Sequence, residues 1–137
     1  MSFFNPNASE LLTSFSNIPK VYPTLAAGVT ITSGTAWALG SAAVIVPANT
    51  ITSNFKIQYV SFAVFSATAT YEVIFYKGEV GSEIEIGRLR TTGTSSVSQL
   101  AMPFYSEIIE ANTRISAKSA CLSGTNSVIC SIVYVTV

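Results

Sequence analysis

The run from Phe55 to Arg90, FKIQYVSFAVFSATATYEVIFYKGEVGSEIEIGRLR, constrains this chain more than any other. It holds three strand-like stretches, residues 55–65, 70–77 and 83–90, rich in Val, Ile, Tyr and Phe. Such side chains suit a pleated, half-buried surface. Gly78-Glu79-Val80-Gly81-Ser82 separates the last two. A short Gly-containing connection between two strand formers reads as a β-hairpin. The first stretch carries large groups on both faces: Phe55, Ile57, Tyr59, Ala63 and Phe65 against Val60, Phe62 and Val64. Both of its faces therefore have to be covered, one by a second sheet, the other by an arm or a subunit. Residues 70–77 behave alike, with Tyr71, Val73 and Phe75 opposing Glu72, Ile74 and Tyr76. In 83–90 the alternation is clean, with Glu83 and Glu85 to one side and Ile84 and Ile86 to the other.

Further strands are expected at 29–32, 36–46 (with a bulge or bend at Gly40), 97–105, 114–121 and 127–137. Turn residues part them at Ser33-Gly34, 47–50, 91–96, 107–113 and 122–126. About eight short strands at this spacing predict an all-β, antiparallel β-sandwich over residues 28–137. Eight is the jelly-roll number, although a strand count does not by itself separate a jelly roll from an immunoglobulin-like sandwich. The Cys…Trp…Cys order of antibody domains is absent, because Trp37 precedes both Cys121 and Cys130. Ala48-Asn49-Thr50 and Ala111-Asn112-Thr113 echo each other, and Asn suits such corners.

Residues 1–27 differ. Phe3, Phe4, Leu11, Leu12, Phe15 and Ile18 are apolar without a period of two. Asn5-Pro6 marks a turn, Ser9 can cap a short helix, and Pro19 and Pro23 impose extended backbone. The segment reads as an N-terminal arm that needs a surface, either its own sheet or a neighbouring subunit.

Of the 137 residues only 10% are charged, against about 25% in ordinary domains, and the formal net charge is zero. There are 19 Ser and 15 Thr. A weakly charged chain of zero net charge tends to self-associate, so much of the outer surface is expected to be buried against other polypeptides. Seven scattered cations do not make a nucleic-acid footprint. No apolar run reaches a membrane span, and the N-terminus lacks the pattern of an export signal. The two cysteines therefore read as reduced core thiols, with a cross-strand bridge as the alternative.

The chain has neither His nor Asp. Ser-His-Asp and Cys-His nucleophile systems are excluded, and zinc and calcium ligand sets are missing. No metal or other cofactor is expected. The remaining catalytic option is the Glu83/Glu85 pair, ~7 Å apart in a strand and near the spacing glycosidases use. Two Glu on the polar side of a strand are ordinarily solvated, so no enzyme is expected. Arg88 and Arg90 are expected to pair with carboxylates of a neighbouring strand or subunit. Trp37, Tyr59 and Tyr76, with Tyr22, Tyr71 and Tyr105, could instead form a sugar platform or pack in an interface. Sugar or receptor binding is thus the rival reading.

The block YEVIFYKGEVGSEIEIGRLR (71–90), with PANTITSNFKIQYV (47–60) before it and ANTRISAKSA (111–120) after it, resembles small accessory virion proteins of tailed bacteriophages. The resemblance covers most of 28–137. It implies a jelly-roll-like domain that decorates the capsid or forms the base of a head or tail appendage. Such proteins are frequently homotrimers. It further implies a virion location reached from the host cytoplasm, with the chain itself and virion proteins such as the major capsid protein as partners. The arm, through Phe3, Phe4, Leu11, Leu12 and Phe15, is then expected to carry attachment.

Overall fold

The computed structural model describes residues 18–24, 27–95 and 99–137. Nine strands run through them: β1 Lys20–Tyr22, β2 Val29–Thr32, β3 Ala43–Val46, β4 Phe55–Ala63, β5 Ala69–Lys77, β6 Ile84–Gly93, β7 Leu100–Pro103, β8 Ile115–Cys121 and β9 Ser127–Thr136. The first sheet has the order β1-β9-β4-β7, with β2 also on β9. β1 pairs with residues 132–134 of β9 and β2 with 127–130, so the two share one strand position. The second sheet is β3-β8-β5-β6. From β2 onward every connection but the β5–β6 hairpin crosses between the sheets. Eight antiparallel strand positions in two sheets, wound this way, make a jelly roll.

The core is the inward half of each strand. Phe55, Ile57, Val60 and Phe62 of β4 lie beside Val128, Cys130 and Ile132 of β9, all essentially inaccessible. They face Tyr71, Val73 and Phe75 of β5 with Ala117 and Cys121 of β8. Rings meet edge-on or tilted, as aromatic quadrupoles prefer: Phe65 on Tyr71 and Phe75 on Phe104 at 5.1 Å, Phe55 on Tyr134 at 5.7 Å. The Tyr71 hydroxyl donates to the Ala67 carbonyl at 2.7 Å, and burial raises its pKa. Two glycines of β6 make the ring packing possible. A Cβ on Gly93 would lie 2.2 Å from the Phe65 ring, and one on Gly87 2.6 Å from Phe104.

Several expectations shift. The sheet begins inside the segment expected to be an arm: Lys20–Tyr22 pairs with β9. As an edge strand it tolerates flanking prolines. The strand expected at 36–46 is β3 alone. Ala36 and Trp37 take positive φ of 36° and 65° in a turn, although Trp37 N–H and Gly40 N–H still bond the Cys121 and Ser119 carbonyls of β8. Gly40 is not a bulge within a strand; its backbone lies so close to the Thr32 carbonyl that a Cβ would overlap it. The loop expected at 91–96 is strand through Gly93. The two cysteines are free and buried, but they lie in different sheets, not in neighbouring paired strands; burial pushes the Cys130 thiol far up. The Asn echo is a true corner. Asn49 and Asn112 have φ of 64° and 67°, and Asn49 N–H donates to the Asn112 carbonyl at 3.1 Å. The short helix expected after Ser9 lies outside the described residues.

Candidate functional site

Directly opposed residues in a sheet share a face, so the register defines two outer surfaces. On the first sheet, the rows are Lys56–Val135, Val21–Val133–Tyr59–Pro103, Ser131–Ser61–Ala101 and Thr30–Ile129–Ala63. A bulge at Gln58 keeps Tyr59 opposite Val133. Tyr59 is 40% exposed and Val21 38%. Its serines are already engaged: Gln99 Nε2 donates to Ser61 Oγ at 2.9 Å, and Ser131 Oγ donates to the Thr24 carbonyl. The strands of this sheet carry two lysines, Lys20 and Lys56, and no carboxylate.

The second sheet's outer rows are Val44–Ser116–Tyr76–Glu85, Lys118–Ile74–Arg88 and Ala120–Glu72–Arg90. Ile86 is the extra residue of a bulge, since Tyr76 opposes Glu85 and Phe75 opposes Gly87. That bulge brings Glu85 and Arg88 onto one face. Arg88 bonds Glu85 at 2.6 Å and Glu72 at 3.5 Å, while Arg90 reaches Glu72 at 3.4 Å. The Arg88 hydrogen bond holds the Glu85 carboxyl below its ordinary pKa. Lys118 Nζ lies 5.4 Å above the Tyr76 ring, and the Arg90 guanidinium 5.0 Å from the Trp37 ring. Long cationic stems lie over the apolar positions between them, and Ile74, though outward, is only 5% exposed.

The site residues singled out in the sequence therefore fall in three places. Tyr59 is on the first sheet. Tyr76 and Trp37 are on the second, each with a cation at its ring, and they form no common platform with Tyr59. Phe3, Phe4, Leu11, Leu12 and Phe15 lie outside the described residues. Glu83 and Glu85 do not share an environment: Glu83 Oε1 accepts the Gly81 N–H at 3.1 Å, while Glu85 is tied to Arg88. A general acid needs a raised pKa, the opposite of what Arg88 does to Glu85. No group of three or more His, Cys, Asp or Glu that could hold a metal occurs among the described residues. A groove of about 400 Å³ between β2 and β3 is lined by small residues, Thr30, Thr32, Ser33 and Gly40 among them, with no charged group.

A third region was not anticipated. The connections 78–83 and 104–113 run side by side. Gly78 N–H donates to the Arg114 carbonyl at 2.9 Å, and the Arg114 guanidinium returns a bond to the Gly78 carbonyl at 3.1 Å. Together they carry Glu79, Glu83, Glu107 and Glu110 and no cation. Tyr105 here is 82% exposed, with Val80, Ile84 and Ile108 also more than half exposed. A hollow of about 220 Å³ opens between Ile86, Tyr105 and Ile108 beside the β6 edge. The signal was present in the sequence as two acid-only connections.

No protein-family model matches the chain, and no curated protein matches it. Solved structures with a similar outline include Eiger TNF from S. frugiperda, at 6% identity, covering 88% of this chain and 92% of that one with a TM-score of 0.46. The infectious bursal disease virus Gx strain structure matches at 15% identity, 88% of this chain, 34% of that one and a TM-score of 0.42. The VP2 subviral particle of the same virus matches at 18%, 88%, 33% and 0.41. The chain thus spans about a third of the length of those viral chains. It is the strand order, rather than these likenesses, that makes the fold a jelly roll.

Proposed function

We propose that this chain is a non-catalytic structural virion protein of a bacteriophage, which self-associates, as a homotrimer, and attaches to the capsid or to a capsid or tail appendage. One observation carries the reading: the outer face of the first sheet presents Val21, Val133, Tyr59 and Pro103 in one row, with Lys56 as its lone charged group among the described residues. A face of that make-up gains by leaving water, at about 25 cal/mol per Å² of apolar surface. The placement of the resembling blocks supports it, since 71–90 forms most of the β5–β6 hairpin, 47–60 leads into β4 and 111–120 holds most of β8. The major capsid protein or another virion protein is the further partner, reached through Phe3, Phe4, Leu11, Leu12 and Phe15. The test is attachment of a chain lacking residues 1–18 to purified particles. The truncated protein keeps its thermal unfolding and its mass in solution, and no longer decorates particles. Unchanged occupancy would remove the arm from the proposal, and a strictly monomeric full chain would remove self-association.

A carbohydrate- or receptor-binding module is the second reading, favoured by Trp37, a 38% exposed indole on a surface turn. It requires a glycan-array or cell-binding signal that Trp37→Ala abolishes while folding is preserved.

A further inference from the structure

The chain has no net charge, but among the described residues the unpaired lysines of the first sheet and the unpaired glutamates lie in separate regions. Of its seven cations, Arg88 and Arg90 are ion-paired, Arg114 is buried on the Gly78 carbonyl and Lys118 covers Tyr76. Lys20 and Lys56 belong to the first sheet and have no carboxylate within ion-pairing distance among the described residues. Glu79, Glu83, Glu107 and Glu110 belong to the two connections at the β6–β7 edge and likewise have no cation within that distance. Lys77 also lines the hollow there and has no carboxylate partner among the described residues, so the edge keeps an excess of negative charge. Each charged region lies against exposed apolar groups: Val21 and Tyr59, with half-buried Val133, beside Lys56, and Tyr105 and Ile108 beside Glu107, with Ile84 beside Glu110.

We propose that these two regions are the halves of one contact, in which the outer face of the first sheet in one copy docks on the acidic β6–β7 edge of a second copy. Lys56 of one copy then meets Glu107 and Glu110 of the next, around an apolar centre of Tyr59 and Val133 against Tyr105 and Ile108. The occupant is a second copy because both complementary halves are present on the same chain, and self-docking sets the positive face of one copy against the negative edge of the next. A face-to-face pairing of the first sheet with itself would bring lysine-bearing faces together and leave the glutamates unmatched. Face-to-edge contact is heterologous, so each copy offers one half to a neighbour on either side, and the contact closes into a ring when its rotation divides a full turn. The inference rests on the reading that the chain self-associates.

Charge reversal tests it, read by sedimentation equilibrium of the full chain at low and moderate salt. Lys56→Glu alone, or Glu107→Lys with Glu110→Lys, weakens self-association by about tenfold or more, because like charges then face each other. All three reversals together restore it to within about threefold of the unmodified chain. The groups are exposed, so thermal unfolding of the dissociated chain stays unchanged, while that of the oligomer follows its association. Tyr105→Ser weakens association independently of charge. If the unmodified chain is oligomeric and the reversals leave its mass unchanged, or weaken it without mutual rescue, this contact is wrong while self-association stands. A chain monomeric at every concentration overturns both.

Discussion

The two outer faces of the sandwich solve the same problem in opposite ways. Each sheet has one side in the core and one side out, and each outward side contains apolar positions. On the second sheet the chain covers most of them itself, leaving Val44 of β3 exposed. Ile74 is sealed between Lys118 and Arg88, Tyr76 lies under Lys118, and Glu72 and Glu85 neutralise the arginines. On the first sheet Tyr59 and the half-buried Val133 and Val135 have no comparable cover among the described residues: the only long charged side chain in those rows is Lys56. A face completed by its own side chains needs no partner. One left apolar and almost uncharged is, under the proposal above, completed by another polypeptide, and that difference, more than the low charge of the whole chain, is where the proposal places the interaction.

The contrast breaks first at Ile74. Ile74→Ala removes a side chain buried within one copy, so stability to denaturant falls by about 2–4 kcal/mol while the mass in solution is unchanged at protein concentrations where the variant stays folded. An oligomer that dissociates on this change would mean that the second sheet's face is an interface too. Tyr59→Asp does the converse. Loss of a central aromatic anchor costs about 2 kcal/mol or more in binding, roughly thirtyfold in Kd, and unfolding of the resulting monomer stays close to that of the parent monomer. Sedimentation and thermal melts of the same samples separate the two outcomes. If Tyr59→Asp unfolds the protein instead, the face belongs to the fold.

The strands that carry this asymmetry were legible in the residues, but the asymmetry itself was not, since 55–65 and 70–77 read alike, and the failures are specific. β4 and the β5–β6 hairpin could be read as strands from their strong β formers and the Gly-containing turn, but the expected split of β4 into faces fails at Gln58, where a bulge puts Phe55 and Ile57 on the same inward side as Val60 and Phe62. Simple alternation fails after Ile84, because Ile86 is an extra residue and Gly87 takes the inward place opposite Phe75. Arg88 and Glu85 meet only because of that bulge, and nothing local announces one. β6 runs on through Thr91–Thr92–Gly93, a stretch that reads as loop, because an absent Cβ at Gly93 makes room for Phe65 from a distant part of the chain. β1 was hidden between Pro19 and Pro23, whose missing donors matter little on an edge. Trp37, Tyr59 and Tyr76 look alike as exposed aromatics in a strand-rich sequence, and only the topology assigns them to different faces. The acid-only connections were readable all along, but their adjacency depends on Arg114 and Gly78 meeting across the fold.

Serine hydroxyls sharpen the contrast at smaller cost. Ser61 on the first sheet accepts from Gln99, so Ser61→Ala lowers stability by about 1 kcal/mol. Ser116 in the second sheet's outer row and Ser119 on its inner side are fully buried, with no hydrogen-bond partner for either hydroxyl among the described residues. Removing an unpartnered buried hydroxyl relieves desolvation, so Ser116→Ala and Ser119→Ala leave stability unchanged or raise it by up to ~1 kcal/mol. A loss from either would mean that its hydroxyl has a partner after all.

The smallest effect belongs to the ion pairs that set the second face apart. Glu85 is solvent-exposed, so its bond to Arg88 is screened by salt and contributes little. The sign is nevertheless determined. Its pKa is lowered in the folded chain by Arg88, so its contribution is complete above the ordinary carboxylate value and is lost as pH falls through the lower, folded value. Arg88→Gln, made in the monomeric Tyr59→Asp background so that association does not intrude, therefore changes Tm slightly at pH 7. It also narrows the Tm difference between pH 7 and pH 3, most clearly at low salt. Equal acid sensitivity with and without Arg88 would mean that the pairs only cover Ile74 with their stems. The second face would then owe its independence to packing, and the contrast with the first would be one of coverage rather than charge.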